Sequence, residues 1–114
     1  MRRRLSASAQ RDIAETLDWS DAGFGPDARQ RYERLIERGL LTITAPRDPV
    51  GTRRFEARPG VALFHLRHCR GSGGLIVRNP RHLLVYRRPE ADLVFVLRLL
   101  HDAMDIGARI DEAV

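Results

Sequence analysis

Four histidines, two tyrosines and one cysteine are the side chains in this 114-residue chain best suited to moving protons or attacking a substrate. Arg81, His82, Tyr86, Arg87 and His101 fall close together in the sequence. Cleaving RNA through its own 2′-hydroxyl needs a base, an acid and cations on the phosphate. His82 or His101 as base, Tyr86 as acid, and Arg81 and Arg87 on the phosphate would supply those parts. The plainer alternative has Tyr86 and His101 packing at a sheet edge and holding the C-terminal tail in place. His65-Leu-Arg-His68-Cys69 suggests a metal at first sight. On a strand, however, residues three apart point to opposite faces, so His65 and His68 would not share an ion, and no metal or other cofactor is expected. No base is fixed by spacing beside Cys69, which argues against a cysteine nucleophile. Trp19 and Tyr32 sit in helical patterns and are expected in the core.

The elements that must position these groups centre on Pro80–Asp105. Residues 83–86 and 93–100 are rich in β-branched and aromatic side chains, and the Pro89-Glu90-Ala91-Asp92 break suits a four-residue hairpin loop. In the first run His82, Leu84 and Tyr86 share one face, with Arg81, Leu83, Val85 and Arg87 on the other. In the second, Leu93, Phe95, Leu97 and Leu99 alternate with Val94, Val96, Arg98 and Leu100. Both faces therefore read as buried, the pattern of a central strand. Arg98 is a lone cation in that apolar run and is expected to reach an edge or a partner.

Upstream, residues 2–6 can form a short strand, and Ser6 or Ser8 can cap a helix that runs to about Asp21. Ala9, Ile13 and Leu17 form its stripe, with Ala14 and Trp19 at the margins, and Asp21-Ala-Gly-Phe-Gly25 ends it. Gly25-Pro26-Asp27 opens a second helix, with Pro preorganised for the first turn and an acid complementing the dipole. Its stripe is Ala28, Tyr32, Leu35, Ile36, Gly39, Leu40 and Ile43. The two make an antiparallel hairpin joined by about four residues, with one face seeking a sheet. Ala45–Pro59 lacks periodicity. Val61–His68 alternates as a strand, Arg70–Asn79 reads as a flexible loop, and Ile106–Val114 as a short polar tail that can be helical. The sum is an α+β fold of order β-α-α-β-β-β, with a mainly antiparallel sheet and a helical hairpin on one face.

Length supports a single domain over residues 1–114. No 18-residue apolar run is present, and no apolar segment follows Met-Arg-Arg-Arg-Leu-Ser, so neither a membrane span nor a signal peptide is expected. One cysteine rules out an internal disulfide and fits a reducing, cytoplasmic setting. All 20 basic residues are Arg, which by itself reads as the codon usage of a GC-rich genome. Their layout is more telling. Nine Arg and three His lie between Arg53 and Arg88 against one acid, Glu56, whereas six acids and two Arg follow from Glu90 onward. Such a basic middle suits an anionic partner, either nucleic acid or an acidic protein segment. Few exposed aromatics are expected there, which favours the protein.

Several motifs in sequence order resemble toxins of bacterial type II toxin–antitoxin modules, in the RelE/ParE superfamily and on its ParE-like side. They are Leu5-Ser6 with Ala9, Asp12 and Ile13; Phe24-Gly25 with Ala28 and Tyr32; and Arg58-Pro59-Gly60. Pro80-Arg81-His82 leading to Val85-Tyr86-Arg87 follows, and Arg98-Leu-Leu-His101 with Met104-Asp105 completes the set. The likeness spans nearly the whole chain, although the segment Arg67–Gly74 makes a longer connection than compact members have. The resemblance implies a plasmid-stabilisation toxin that inhibits DNA gyrase. A ParD-like antitoxin would neutralise it in a hetero-oligomer by wrapping a C-terminal segment around it. RelE-like relatives instead cut mRNA on the ribosome, using lysines on middle strands and an Arg…Tyr group near the C-terminus. This chain has no Lys, and past His101 it has no Tyr and only Arg109. The expected role is therefore protein binding rather than catalysis, with ribosome-dependent mRNA cleavage as the alternative. Antitoxin contact is expected at Arg58, Arg67, Arg81, Arg87 and Arg98, with the outward face of the second helix, and target contact at His101, Met104 and Asp105 with the tail. The alternative RNase site is Arg81, His82, Tyr86 and His101.

Overall fold

A computed structural model describes residues 2–71 and 77–113, with side chains placed through residue 110. The chain runs β1 (Arg2–Leu5), α1 (Ala7–Phe24), α2 (Pro26–Ile43), β2 (Arg53–Arg54) and β3 (Val61–His65). A 3-10 turn (Leu66–Cys69), β4 (His82–Glu90), β5 (Leu93–His101) and α3 (Ile106–Ala113) follow. The sheet order is β1-β5-β4-β3-β2, with β1 parallel to β5 and every other pairing antiparallel. This is the α+β, RelE/ParE-like arrangement read from the sequence.

The helical hairpin closes more tightly than expected. Helix α1 runs on to Phe24, and Gly25 alone ends one helix and starts the next. At φ +90 it takes a backbone conformation that L side chains rarely adopt. Its N–H donates to the Asp21 carbonyl, and its own carbonyl accepts from the Arg29 N–H. Pro26 then supplies the preset first helical φ. At the other end of α1, Ser6 is the cap. Its Oγ accepts from the Ala9 N–H at 2.9 Å and donates to the Leu97 carbonyl at 2.6 Å, which pins the helix start to the sheet.

Two apolar layers sandwich the sheet. The hairpin side gathers Ala9, Leu17, Leu35, Ile36, Leu40 and Ile43 against Phe64, Leu84, Tyr86, Val94, Val96 and Leu99. Side chains of this size contribute about 1.5–3 kcal/mol each when fully buried. At Gly39 the helix approaches so closely that an added Cβ would collide with Leu66 and lie 3.2 Å from Leu84 Cδ1. The second layer joins Leu63, Leu83, Val85, Leu97 and Leu100 to Ile110 of α3, with Phe55, Phe95 and Ile106 at its margin. The C-terminal segment, read as a polar tail that can be helical, is a helix whose Ile106 and Ile110 cover the far face of the sheet.

Other local expectations change as well. The hairpin loop between β4 and β5 has two residues, because Pro89 and Glu90 continue β4. Strand β3 stops at His65, whose Nδ1 accepts the Arg67 N–H at 3.0 Å and turns the chain into the 3-10 segment. A two-residue strand, β2, lies within the aperiodic connection. The loop expected over Arg70–Asn79 falls in part on residues 72–76, outside the described residues. Finally, the alternation of β5 breaks. Val85 pairs with Arg98 while Tyr86 pairs with Val96, leaving Leu97 as an extra residue in a bulge. Leu97 and Leu99 therefore enter opposite layers instead of sharing a face.

Candidate functional site

That bulge sets the first functional geometry. Strand β1 pairs with β5 from Arg2 and Leu93 to Leu5 and Val96, so the edge of β5 beyond that point needs other partners. Asp12 of α1 supplies one. Its Oδ2 accepts from Arg98 Nε at 2.6 Å and from the Leu99 N–H at 3.1 Å, and its Oδ1 accepts from Arg98 Nη2 at 2.9 Å. Arg98 Nη1 also donates to the Arg109 carbonyl of α3, at 2.8 Å. Arg98 is therefore held between α1 and α3, inside the fold.

A cleft of about 370 Å³ opens beside this pair, lined by Thr16, Trp19, His82, His101 and Met104 among others. Trp19 is not a core residue as its helical position suggested. It is 46% exposed, and Met104 is 45% exposed. The indole stands on its edge against Phe24, Tyr32 and His82, with ring centroids 5.8, 6.2 and 5.6 Å away. Phe24 extends the patch outward at 70% exposure.

Beneath Trp19 lies a buried polar joint. Tyr32 Oη sits 2.6 Å from His82 Nδ1 and accepts the Arg81 N–H at 3.2 Å. The phenol is buried, so its own proton goes to Nδ1, which leaves the His82 proton on Nε2. Burial, followed by the neighbouring His101, lowers the His82 pKa from 6.5 to about 4, and burial raises that of Tyr32 to about 12. His82 is thus a neutral imidazole at physiological pH. The His101 ring lies edge-on to it at 5.3 Å. His101 Nδ1 accepts the Ala103 N–H, so the 3.6 Å approach of that nitrogen to Asp102 is not a hydrogen bond. Asp102 is occupied elsewhere, taking Arg81 at 3.0 Å and His65 Nε2 at 2.9 Å. Because His65 Nδ1 is already an acceptor, this contact is a neutral imidazole donating to a carboxylate. Burial works to raise the Asp102 pKa, but His65 and Arg81 outweigh it and hold the group below its usual range.

Tyr86 does not join this group. Its hydroxyl donates to Asp48 Oδ1 at 3.0 Å, four residues and roughly 13 Å along the strand from His82. Arg88 Nε binds the same oxygen at 2.9 Å, and Arg54 binds Asp48 Oδ2 at 2.8 Å. Burial raises the Tyr86 pKa. Of the sequence-derived RNase set, the structure brings Arg81, His82 and His101 together and takes Tyr86 away. The phenol beside His82 is Tyr32, on α2. Its pairing with a residue 50 positions away carries no local sequence signal.

The remaining candidates separate as well. Arg87 lies 5.5 Å over the Phe95 ring, while Arg67 is exposed and Arg58 is half-buried. Asp105 Oδ1 accepts the Ala108 N–H at 3.2 Å and caps α3. Among the described residues, no three His, Cys, Asp or Glu side chains are grouped to hold a metal, and no helix is long and apolar enough to cross a membrane. The family whose model matches residues 3–106 is described as the ParE toxin of type II toxin–antitoxin system, parDE. No curated protein matches the chain.

Proposed function

The chain belongs to the ParE toxin family of type II toxin–antitoxin systems, and from that premise we propose that it acts by binding rather than by breaking bonds. Its target in this reading is DNA gyrase, and a ParD-like antitoxin neutralises it in a cytoplasmic hetero-oligomer that serves plasmid stabilisation. The observation that supports this reading most directly is the cleft. Two half-exposed apolar side chains, Trp19 and Met104, flank His101 around a preformed depression. Large, rigid side chains at the rim of a pocket are the usual anchors of a protein interface. His101 and Met104 thus serve the target together with Trp19, while Asp105 shapes the α3 start next to them. Arg58, Arg67 and Arg87 present charge for an acidic antitoxin segment. Arg81 and Arg98 take part through their places beside Asp102 and Asp12.

A second reading, ribosome-dependent mRNA cleavage, is favoured by one observation, the two imidazoles 5.3 Å apart beside Arg81. The test is a gyrase supercoiling assay run beside an in vitro translation assay. Binding to gyrase predicts lost supercoiling with wild-type protein and restored supercoiling with Trp19→Ala or Met104→Glu. Intact supercoiling together with codon-positioned cuts in translated mRNA would instead establish the nuclease.

A further inference from the structure

On the sheet face opposite the helical hairpin lies a smaller cleft, of about 170 Å³. Leu63, Leu83 and Ile106 contribute its apolar lining, and its polar lining is Arg53 from β2, His65 from β3, and Arg67 and His68 from the 3-10 turn. Most arginines with described contacts in this chain are matched to a carboxylate. Arg2, Arg29, Arg54, Arg81, Arg88 and Arg98 each bind an Asp or Glu within 3.0 Å. Among the described residues, the guanidinium groups of Arg53 and Arg67 have no such partner. The one acid on the cleft wall, Asp102, is engaged by Arg81 and His65. The wall therefore carries positive charge that nothing within it cancels.

We propose that this cleft is an oxyanion site for a single phosphate group, either free or carried on a nucleic acid strand, with Arg53, Arg67 and His68 as its donors. A carboxylate has two oxygens in one plane and is satisfied by one bidentate guanidinium. Here the donors come from a strand, β2, and from the 3-10 turn around a small cleft, an arrangement that suits a tetrahedral group with three or four oxygens. The imidazole is held in place. Gly51, at φ +97, lies so close to the His68 ring that any Cβ there would fall 2.6 Å from Nε2, and Phe64 packs 5.4 Å from the ring on another side. The His68 pKa is lowered, first by partial burial and then by the charge of Arg67. An anion between Arg53 and Arg67 would relieve that repulsion and favour the protonated, doubly donating ring. Among the described residues that line the cleft, Asp102 is the only acid. This site is separate from the Trp19 cleft and does not rest on the target assigned to it.

The test is an NMR titration of the full chain with inorganic phosphate at constant ionic strength, read on the His68 ring protons. The expected result is a saturable shift, with the His68 pKa rising toward 6.5. Arg53→Ala and Arg67→Ala should each weaken binding about tenfold, and Arg38→Ala, on the exposed face of α2, should leave it unchanged. A dinucleotide with a 5′-phosphate and one carrying only the internal diester then identify the source. Binding of the first alone indicates a free or terminal phosphate, and equal binding of both indicates a strand backbone; either result supports the site. Absence of saturation up to about 50 mM phosphate overturns the proposal. So does retained affinity in the Arg53→Ala/Arg67→Ala double variant, or equally tight binding of acetate.

Discussion

The Asp12 carboxylate grips Arg98 with both oxygens and also takes the Leu99 N–H, so one side chain of α1 replaces the missing neighbour of strand β5. Both side chains are only 11% exposed. Asp12→Ala would take the counter-charge from a buried guanidinium, leaving it the Arg109 carbonyl, and the acceptor from the Leu99 N–H. Breaking a buried pair from one side costs about 3–5 kcal/mol, and urea denaturation of Asp12→Ala should show a loss in that range. Arg98→Ala should cost less, because the carboxylate keeps the Leu99 N–H. The double variant should lose clearly less than the sum of the two. Strict additivity would mean that the pair contributes nothing as a unit.

His82 makes stability depend on pH in a defined window. Its pKa is about 4 in the folded chain against 6.5 for an ordinary histidine. Between those values the unfolded chain binds a proton that the folded chain refuses, so stability falls as pH falls. The full difference corresponds to about 3 kcal/mol, reached near pH 4, with no effect above about pH 7. His68, also held below its ordinary value, adds in the same direction. The carboxyls of Asp48 and Asp102 lie below 3.8 and contribute only at lower pH. Thermal melts at pH 7, 5.5 and 4.5 should therefore show a falling Tm for the wild type. His82→Asn, which keeps an acceptor for Tyr32 but does not titrate, should show a much flatter profile.

Tyr86 tests whether its phenol serves the fold or a reaction. Its hydroxyl binds Asp48 in concert with Arg88, which fastens the connection after α2 to β4. Tyr86→Phe removes one hydrogen bond to a charged acceptor, worth about 1.5–3 kcal/mol. The variant should be destabilised by that amount yet retain its full effect on growth when induced without antitoxin. A collapse of toxicity at unchanged folded fraction would place the phenol in a catalytic role.

Much of this architecture was written in local pattern. The stripe of α2 from Tyr32 to Ile43 is buried residue for residue, and Gly25-Pro26 marks the helix boundary because few other residues can adopt that backbone. The double burial of β5 was equally legible in its near-continuous apolar run. What escaped depends on contacts distant in sequence. The bulge at Leu97 arises where β1 ends and Asp12 enters, and nothing within Leu93–His101 announces it. Trp19 fits a helical stripe by spacing, but the layer beneath α1 is closed by Thr16, Leu17 and Ser20, which leaves the indole beside the cleft. Ile106 and Ile110 stand four apart in the C-terminal segment, the spacing of a helix with one apolar face.

The Trp19 cleft yields the prediction on which the functional reading depends. Trp19 and Met104 lie at its rim, both nearly half exposed, and neither completes a hydrogen-bond network in the fold. Met104→Glu places a charge where an apolar contact would form. It should disturb the monomer by no more than about 0.5 kcal/mol, as surface substitutions do. Trp19→Ala gives up the edge contacts to Tyr32 and His82 and should cost somewhat more, about 1–2 kcal/mol. If the cleft seats the target, either change should weaken gyrase inhibition at least tenfold, since truncating an interface anchor commonly costs 2 kcal/mol or more. Antitoxin affinity, which this reading assigns to Arg58, Arg67 and Arg87, should stay within about twofold. Parallel measurement by calorimetry against the antitoxin and by supercoiling against gyrase separates the outcomes. A joint loss of both activities with an unchanged melting curve would show that the antitoxin occupies the same cleft. An unaltered inhibition constant in Met104→Glu would remove the cleft from the target interface.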